Sequence, residues 1–395
     1  MKFLISAIII LCVSNSFPQT INVNVPRESE VFLLPQGFGI ELLNSKGSSG
    51  IINDVSNISA MNPAAIQKLK SLSFGFSYQF QTTIDEAYIF DVGTSRIQNY
   101  LPQSFGGIIH YNEISFGVGF GQKYNGSLDF DPLPITTVNY PDGTGEYYYP
   151  KFENSLQTYT FSTAYRLNGI ITESSNLSIG LTYILNRLYS YESIGNVSAN
   201  ASAFGSNFMI GACYEMKTDE EQILNIGISY TSGTNISDEV KYESNGSIIP
   251  GSIPGDSTHF YIVAEPYTLF YSVPSELGFD IYYRLNSNIE LLGRINNIFR
   301  NSNSNNVKDQ LEFSAIAAYL FNSSTLASLG LYYTSKKYIE DVFDMNDELY
   351  AVFITAGLSF QINFLKVDLA LADSHLFSGD LWKQTIGKIG LGIQL

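Results

Sequence analysis

The chain has 395 residues, of which 15% are charged, against roughly 25% in an average soluble protein. Asp and Glu number 37 and Lys and Arg 21, and this acidic balance argues against nucleic acid as a partner, because phosphates attract basic side chains. The 27 Tyr and 27 Phe make the chain unusually aromatic for a secreted enzyme, and three histidines are too few to favour a zinc site.

The first 16 residues have the layout of a secretory signal peptide. Lys2 precedes an apolar stretch over residues 3–13, and small polar residues follow it. The stretch is too short to cross a bilayer as a helix, which takes roughly 20 residues. We therefore expect residues 1–16 to direct export and to be cleaved off. Cys213 is then the one remaining cysteine, and no internal disulfide can form.

Residues 17–70 are predicted to form an N-terminal region of their own, because the stretch over residues 21–70 has no strand-like alternation. It is rich in Gly, Ser and Asn. A short helix is predicted over residues 63–70, with Asn62 as its N-cap and Pro63 at its first position. Taken alone, the Asn-Pro-Ala sequence indicates no role beyond this cap.

From residue 71 onward, large apolar residues alternate with small ones, as in LSFGFSYQF (72–80) and ISFGVGFG (114–121). The second face carries mainly Gly, Ser, Asn, Gln and Ala, whereas a water-facing sheet would carry many charges there. Small polar side chains suit the lumen of a barrel, and large apolar ones suit lipid. Segments of about ten residues also match tilted strands that span a membrane.

This pattern predicts an all-β fold, a 14-stranded antiparallel transmembrane β-barrel over residues 71–395. Hydrocarbon cannot hydrogen-bond a free strand edge, so the last strand must pair with the first. The predicted strands cover residues 71–81, 104–111, 114–123, 155–168, 175–187, 205–216, 221–232, 271–285, 287–297, 308–320, 325–335, 348–361, 363–373 and 384–395.

The connections between these strands alternate between long and short. An even strand number with short turns at one end and long loops at the other is typical of bacterial outer-membrane barrels. We therefore expect the protein in the outer membrane, in contact with its lipid and lipopolysaccharide. The predicted long loops cover residues 82–103, 124–154, 188–204, 233–270, 298–307, 336–347 and 374–383.

The C-terminal residues 388–395, KIGLGIQL, are similar to the signal that the barrel-insertion machinery reads. Ile389, Leu391, Ile393 and Leu395 share one face of this segment. Leu395 stands where that signal usually has an aromatic residue. The insertion machinery is therefore a predicted partner.

Seven charged residues are predicted to face the lumen, where they would pair with each other or with the backbone of the N-terminal segment. An enzyme built on a barrel is the competing interpretation, but His110 and the pair Ser374-His375 have no Ser-His-acid spacing that indicates catalysis. We predict no enzyme activity, no cofactor and no metal site. The predicted lumen charges are Glu276, Asp280, Arg284, Glu290, Arg294, Lys366 and Asp368.

The stretch from Gly39 to Phe80 resembles the N-terminal hatch and first strand of the FadL/TodX family of outer-membrane transporters. In that family, a segment rich in small residues with an acidic position leads into an Asn-Pro-Ala motif, a short helix and the first strand. The matching residues here are Gly47, Gly50, Asp54, Asn62, Pro63 and Ala64.

The resemblance implies a barrel plugged by its own hatch and passive, hatch-gated diffusion of hydrophobic molecules, either long-chain fatty acids or aromatic hydrocarbons. It also implies release sideways into the membrane, where a strand is kinked. PorV and PorQ of the type IX secretion system resemble the same family and dock secreted proteins instead. The long loops at 124–154 and 233–270 carry no evident amphipathic helices, so a protein-docking role stays open as the alternative.

Overall fold

The structure is a computed structural model, and it describes most of the barrel together with the segment just before it. The signal peptide and the positions Gly47, Gly50 and Asp54 lie outside the described residues. These residues are 55–81, 93–96, 104–130, 133–134, 145, 147–148, 151–170, 172–194, 197–218, 222–244, 267–300, 308–335, 350–378 and 385–395.

Nineteen strands are found in this part of the chain, and fourteen of them form the wall of a barrel. The wall strands are β1 (Leu72–Gln81), β3 (Ser104–Tyr111), β4 (Ile114–Phe130), β7 (Lys151–Asn168), β8 (Ser175–Ile194), β9 (Val197–Lys217), β10 (Ile223–Thr231), β13 (Ser275–Arg284), β14 (Ile289–Phe299), β15 (Gln310–Asn322), β16 (Thr325–Thr334), β17 (Ala351–Ile362), β18 (Leu365–Asp373) and β19 (Thr385–Gln394). The others are β2 (Gly93–Arg96), β5 (Leu133–Pro134), β6 (Tyr147–Tyr148), β11 (Thr234–Ser244) and β12 (Tyr267–Val273).

Every wall strand pairs antiparallel with its neighbours, and β1 pairs with both β3 and β19. The β1–β19 ladder runs without interruption from the pair Ser73–Gln394 to the pair Gln81–Ile386. It closes the sheet, so that hydrogen-bonded neighbours flank each wall strand. The prediction of a closed 14-stranded antiparallel barrel is confirmed.

The short turns after β3, β7, β9, β13, β15 and β17 lie at one end of the barrel, which we call the short-turn end. Two of them are two-residue turns in which Asn112 and Asn363 adopt a positive φ of 54°. Asn tolerates this left-handed conformation better than most residues, because its short polar side chain can bond the local backbone. The opposite end, where the long connections lie, is called the outer end below.

Four strands extend further toward the outer end than the sequence predicts. β4 continues to Phe130, β7 begins at Lys151, and the β8–β9 hairpin replaces the loop predicted over residues 188–204. Large apolar residues no longer alternate regularly with small ones in these extensions, as the run VSANASA (197–203) shows. The backbone hydrogen bonds between neighbouring strands nevertheless continue through the extensions, and the sequence pattern gives no sign of them.

The region predicted as one loop over 233–270, followed by one strand over 271–285, is also organised differently. It contains β11 and β12, which pair with each other, and the wall strand β13 begins only at Ser275. Pro274 separates β12 from β13, and it has no N–H to donate to a ladder. The proline therefore divides what looked like one long strand.

The two faces of the wall differ as the alternation predicts. In β1, Phe74, Phe76 and Tyr78 are exposed on the outside, while Ser73 and Ser77 are fully buried on the inside. The same apolar exposure continues around the wall, for example at Phe116 in β4, Ile179 in β8, Phe279 in β13 and Leu331 in β16. Apolar side chains on the outer face of the wall and polar side chains on its inner face are the pattern of a lipid-facing barrel.

Residues 55–70, called the inner segment below, lie inside the barrel. They contain two short 3-10 helices, Val55–Asn57 and Pro63–Lys68. The predicted cap is present: the Asn62 side-chain oxygen accepts a hydrogen bond from the Ala64 N–H at 3.0 Å, and Pro63 opens the helix. Neither these helices nor any other helix among the described residues has the length and apolarity needed to cross a membrane.

Candidate functional site

A row of wall glycines receives the inner segment. A Cβ atom added at Gly75 or Gly106 would lie closer than 3.0 Å to Val55, and one at Gly117 or Gly119 would come equally close to Ile58. Such distances are too short for any side chain. The glycine face of β1, β3 and β4 is therefore a groove, which accepts the side chains of Val55 and Ile58 and, at Gly106, the Val55 backbone oxygen.

The groove continues under the turn that leads into the second 3-10 helix. Added Cβ atoms at Gly180 in β8 and Gly211 in β9 would lie within 3.0 Å of Pro63 and Asn62. The Asn62 amide also donates to the backbone oxygens of Ala212 at 3.3 Å and Ile228 at 3.1 Å. Asn62 thus caps its own helix and ties it to β9 and to β10.

Polar contacts also hold the end of the inner segment near the short-turn end. The Gln67 amide donates to the backbone oxygens of Glu113 at 2.7 Å and Ala164 at 2.9 Å. Lys68 lies 3.9 Å from the Glu215 carboxylate, which also contacts Arg166. These bonds hold the segment against β4, β7 and β9.

The histidines considered for catalysis have structural roles at opposite ends of the barrel. His110 contacts the Leu69 backbone oxygen at 2.9 Å and the Ser115 hydroxyl, near the short-turn end. His375 contacts Asp373 at 3.0 Å, near the outer end. The structure therefore does not bring the two histidines together. The described residues contain no group of three His, Cys, Asp or Glu side chains that could hold a metal ion.

Six of the seven predicted lumen charges lie next to one another as ion pairs. The shortest N–O distances are 3.6 Å for Arg294–Asp280, 2.8 Å for Arg284–Glu290 and 3.2 Å for Lys366–Asp368. The first two pairs join β13 to β14, and the third lies within β18. Asp280 is fully buried, and its carboxylate lies close to the place where Asn62 crosses Gly227.

The seventh charge, Glu276, takes part in a bridge across the lumen. Its carboxylate lies 3.8 Å from the Lys123 ammonium of β4, and it accepts a hydrogen bond from the Asn296 amide at 3.4 Å. Asn296 also donates to Glu312 at 3.0 Å. Lys123 sits at a β-bulge, where one strand carries an extra residue and a side chain is re-aimed.

Sequence reasoning missed Lys123, Asn296 and Glu312. Lys123 follows Gly117, Gly119 and Gly121 on the lumen side of β4, so its position alone could have identified it. No sequence signal indicates that it reaches β13, because that contact depends on how the barrel closes.

The bridge borders a cavity in the lumen, called the lumen cavity below. Its empty volume is about 710 Å³, which includes space open to solvent. The inner segment forms one side of it, through Asn57 and Ser59. Most of the remaining lining residues have polar side chains, and Ile184 and Met209 are the large apolar ones.

The wall is interrupted beside β9, toward the outer end. The ladder between β9 and β10 ends at the pair Met209–Thr231, and β9 pairs again only at Asn200–Lys241, with β11. Between these pairs the described chain turns inward at Gly233, and Ile236 becomes fully buried over Gly205 on the lumen face. This interruption of the wall is called the kink below.

Of the comparisons with known proteins, only those with solved structures found matches, and these matches show the fold. No protein-family model matches the chain, and no curated protein matches it. Among solved structures, the toluene transporter TbuX of Ralstonia pickettii is similar, with a TM-score of 0.57 and 12% identity over 91% of this chain and 98% of that one.

Two further structures agree with this comparison. The toluene transporter TodX of Pseudomonas putida gives a TM-score of 0.56 at 12% identity, over 89% of this chain and 95% of that one. A FadL homologue of Pseudomonas aeruginosa gives 0.56 at 10% identity, over 92% and 99%. The chain therefore has the fold of the FadL and TodX hydrocarbon transporters, the resemblance that its sequence first indicated.

Proposed function

We propose that the protein is a bacterial outer-membrane channel through which hydrophobic small molecules, long-chain fatty acids or aromatic hydrocarbons, diffuse passively. The observation that carries the proposal is the inner segment, which occupies a glycine groove inside a 14-stranded barrel with an apolar outer band. Diffusion needs no chemical step, so this function requires no enzyme activity. Insertion through residues 388–395 and contact with lipid and lipopolysaccharide belong to the same proposal.

In this proposal residues 17–70 form a hatch that gates the lumen. Asn62, Pro63 and Ala64 form the elbow of the hatch, and Gly47, Gly50 and Asp54 belong to the part that precedes it. The polar contacts of Asn62 and Gln67 support the proposal, because they connect a small moving part to a rigid wall. Breaking a few hydrogen bonds is a modest cost for opening a passage.

The kink between β9 and β11 supports sideways release as the route of exit. A strand that leaves the wall removes ladder hydrogen bonds, and an apolar molecule can then pass between strands into lipid without crossing a polar surface. Phe204 and Phe208 are exposed on the outside at this level and would meet the departing molecule.

The test is uptake by vesicles that contain the purified full-length protein. Radiolabelled toluene and a radiolabelled long-chain fatty acid are offered from outside, and the label trapped by a binding protein inside is counted. We expect faster uptake of at least one compound than into protein-free vesicles of the same lipid. Equal rates for both compounds would contradict the proposal.

A second candidate function, the docking of secreted proteins as in PorV- and PorQ-like barrels, is favoured by the outer extensions of β8 and β9. These strands have 20 and 21 residues, about twice the length that the membrane requires, so they project a wall beyond it. Deletion of the gene in its native host separates the two functions. Loss of secreted proteins from the cell surface with unchanged hydrocarbon uptake would favour docking.

A further inference from the structure

An arginine on the outer face of the wall lies at the border of the apolar band. On β8, Ile179 and Tyr183 are exposed on this face, and Arg187 follows them toward the outer end. Arg187 lies about ten residues beyond Leu177, which at about 3.3 Å per residue and a tilt of about 40° is roughly 25 Å along the membrane normal. The apolar band of an outer-membrane barrel is also about 25 Å tall. Arg187 therefore lies where hydrocarbon ends and head groups begin.

Neighbouring side chains hold the Arg187 guanidinium in place. Its Nε donates to the Ser202 hydroxyl at 3.1 Å, and its central carbon lies 5.9 Å from the centre of the Phe204 ring. The hydrogen bond uses the Nε, so the two terminal nitrogens remain as donors. An arginine that is already oriented in this way loses less conformational freedom when it binds a ligand.

Arg187 forms no ion pair with any carboxylate that the structure describes. Lys151 is the other described cation that points outward from a wall strand, and it pairs with Glu153. A cation that has no counterion within the described wall attracts an anion from its surroundings. At the border of the membrane, the anions at hand are the phosphates of lipid head groups.

Beyond Arg187, the same face of the wall becomes aromatic and polar. Tyr189 and Tyr191 follow it on β8, and Ser202 and Asn200 lie opposite these tyrosines on β9. A tyrosine offers an apolar ring to the C–H groups of a sugar and a hydroxyl to its oxygens, and the Ser and Asn side chains bond to sugar hydroxyls. This surface therefore suits a head group made of sugars better than a glycerol phosphate.

We propose that Arg187, with Tyr189 and Tyr191 beyond it, binds the phosphorylated sugar head group of a lipopolysaccharide. The guanidinium fork matches the geometry of a phosphate, and the tyrosines contact the sugars. This inference rests on the outer-membrane location in the proposed function and gives the lipid contact named there a defined site. Phe204 belongs to the part of β9 that borders the kink, so the bound lipid lies beside the proposed exit.

Binding of lipid A, dephosphorylated lipid A and phosphatidylglycerol tests the proposal, because these lipids differ in their sugars and phosphates. The full-length protein is washed free of lipid in detergent and titrated with each compound, and native mass spectrometry measures the lipid-bound fraction. We expect lipid A to bind at least about tenfold more tightly than either of the others. Equal affinity for dephosphorylated lipid A would overturn the role of the phosphate. Equal affinity for phosphatidylglycerol would overturn the assignment to a glycolipid.

Variants locate the site. Arg187→Gln keeps a polar side chain and removes the charge, so it should weaken lipid A binding about tenfold and leave the binding of dephosphorylated lipid A unchanged. Lys151→Gln is the matched control, because Lys151 points outward from the neighbouring strand but already has Glu153 as its partner. This variant should bind like the parent. Heat-modifiable gel mobility shows whether both variants are folded. Parent-like binding by Arg187→Gln, or an equal loss in the two variants, would overturn the site.

The proposed site and the proposed transport function can fail separately. Uptake in vesicles made of phospholipid alone needs no lipid A, so a protein that transports its ligand but does not bind lipid A would overturn the site and leave transport intact. A protein that binds lipid A through Arg187 but takes up neither toluene nor fatty acid would overturn transport and support the site.

Discussion

The two halves of the lumen are filled in different ways. Where β1 to β10 form the wall, glycines face inward and the inner segment fills the space with its backbone and side chains. Where β13 to β19 form it, the wall fills the lumen with its own side chains, both ion pairs and buried apolar clusters such as the one around Phe353. The inner segment is held by a few hydrogen bonds and can move out of the lumen, whereas the side chains of the wall strands cannot. We therefore expect any opening of the lumen to occur on the glycine half.

The largest expected effect is on the charged half. Arg294→Met removes the cation beside the fully buried Asp280 and should lower the free energy of unfolding by about 3 kcal/mol, because a buried charge without a counterion is costly. Urea titration of the protein refolded into lipid vesicles measures the change. The exposed pair Lys151–Glu153 toward the outer end provides the control, where Lys151→Met should cost less than about 1 kcal/mol.

A double variant sharpens the same prediction. Arg294→Met combined with Asp280→Leu removes both charges and should recover most of the lost stability. A double variant no more stable than Arg294→Met would show that packing, and not the unpaired charge, causes the loss.

On the glycine half, Gly211→Ala should push the inner segment away from β9. The new methyl group overlaps Asn62, and such overpacking costs about 1–3 kcal/mol. Displacing the segment should also raise the ion conductance of single barrels in planar bilayers. Gly392→Ala is the matched control, because its methyl group would meet only ordinary contacts at 3.6 Å and 3.7 Å. Equal conductance in the two variants would contradict a removable filling.

A smaller change loosens the elbow and leaves the wall untouched. Asn62→Ala loses the helix cap and two hydrogen bonds to β9 and β10, worth about 1–2 kcal/mol in total. We expect the barrel to insert normally, judged by its heat-modifiable gel mobility, and the vesicle uptake of its ligand to be impaired. Uptake equal to that of the parent would indicate that Asn62 serves only as a helix cap and has no role in passage.

The smallest expected effect concerns the bridge between the two halves. Lys123→Met breaks a long, partly exposed ion pair with Glu276 and should change stability by less than about 1 kcal/mol. Because the pair crosses the lumen, we nevertheless expect a measurable rise in single-barrel conductance. Lys217→Met, which alters an exposed lysine at the short-turn end of β9, should leave conductance unchanged.

The strand count could be predicted because alternation is a local property of the sequence. Each wall strand shows its two faces within about ten residues, so β1 or β16 needs no knowledge of its partner. The inward turn at Gly233 and the reach of Lys123 to Glu276 could not be predicted in this way. Both depend on which distant strands become neighbours once the barrel has closed.

The glycine groove was only half predictable. The sequence places the glycines of GVGFG on the lumen face, and it places a strandless segment before the barrel. The sequence does not indicate the contact between Ile58 and these glycines, because that contact depends on three-dimensional packing. A lumen-facing row of glycines beside a strandless N-terminal segment is a usable signal for such a contact in other barrels.

The seam between β1 and β19 has a consequence for the order of assembly. The inner segment leads directly into β1, and its groove is complete once β9, the sixth of the fourteen wall strands, is in place. The seam also needs β19, which is the last wall strand in the sequence. The growing sheet can therefore curl around the inner segment as a template, and the barrel closes with its plug already seated inside.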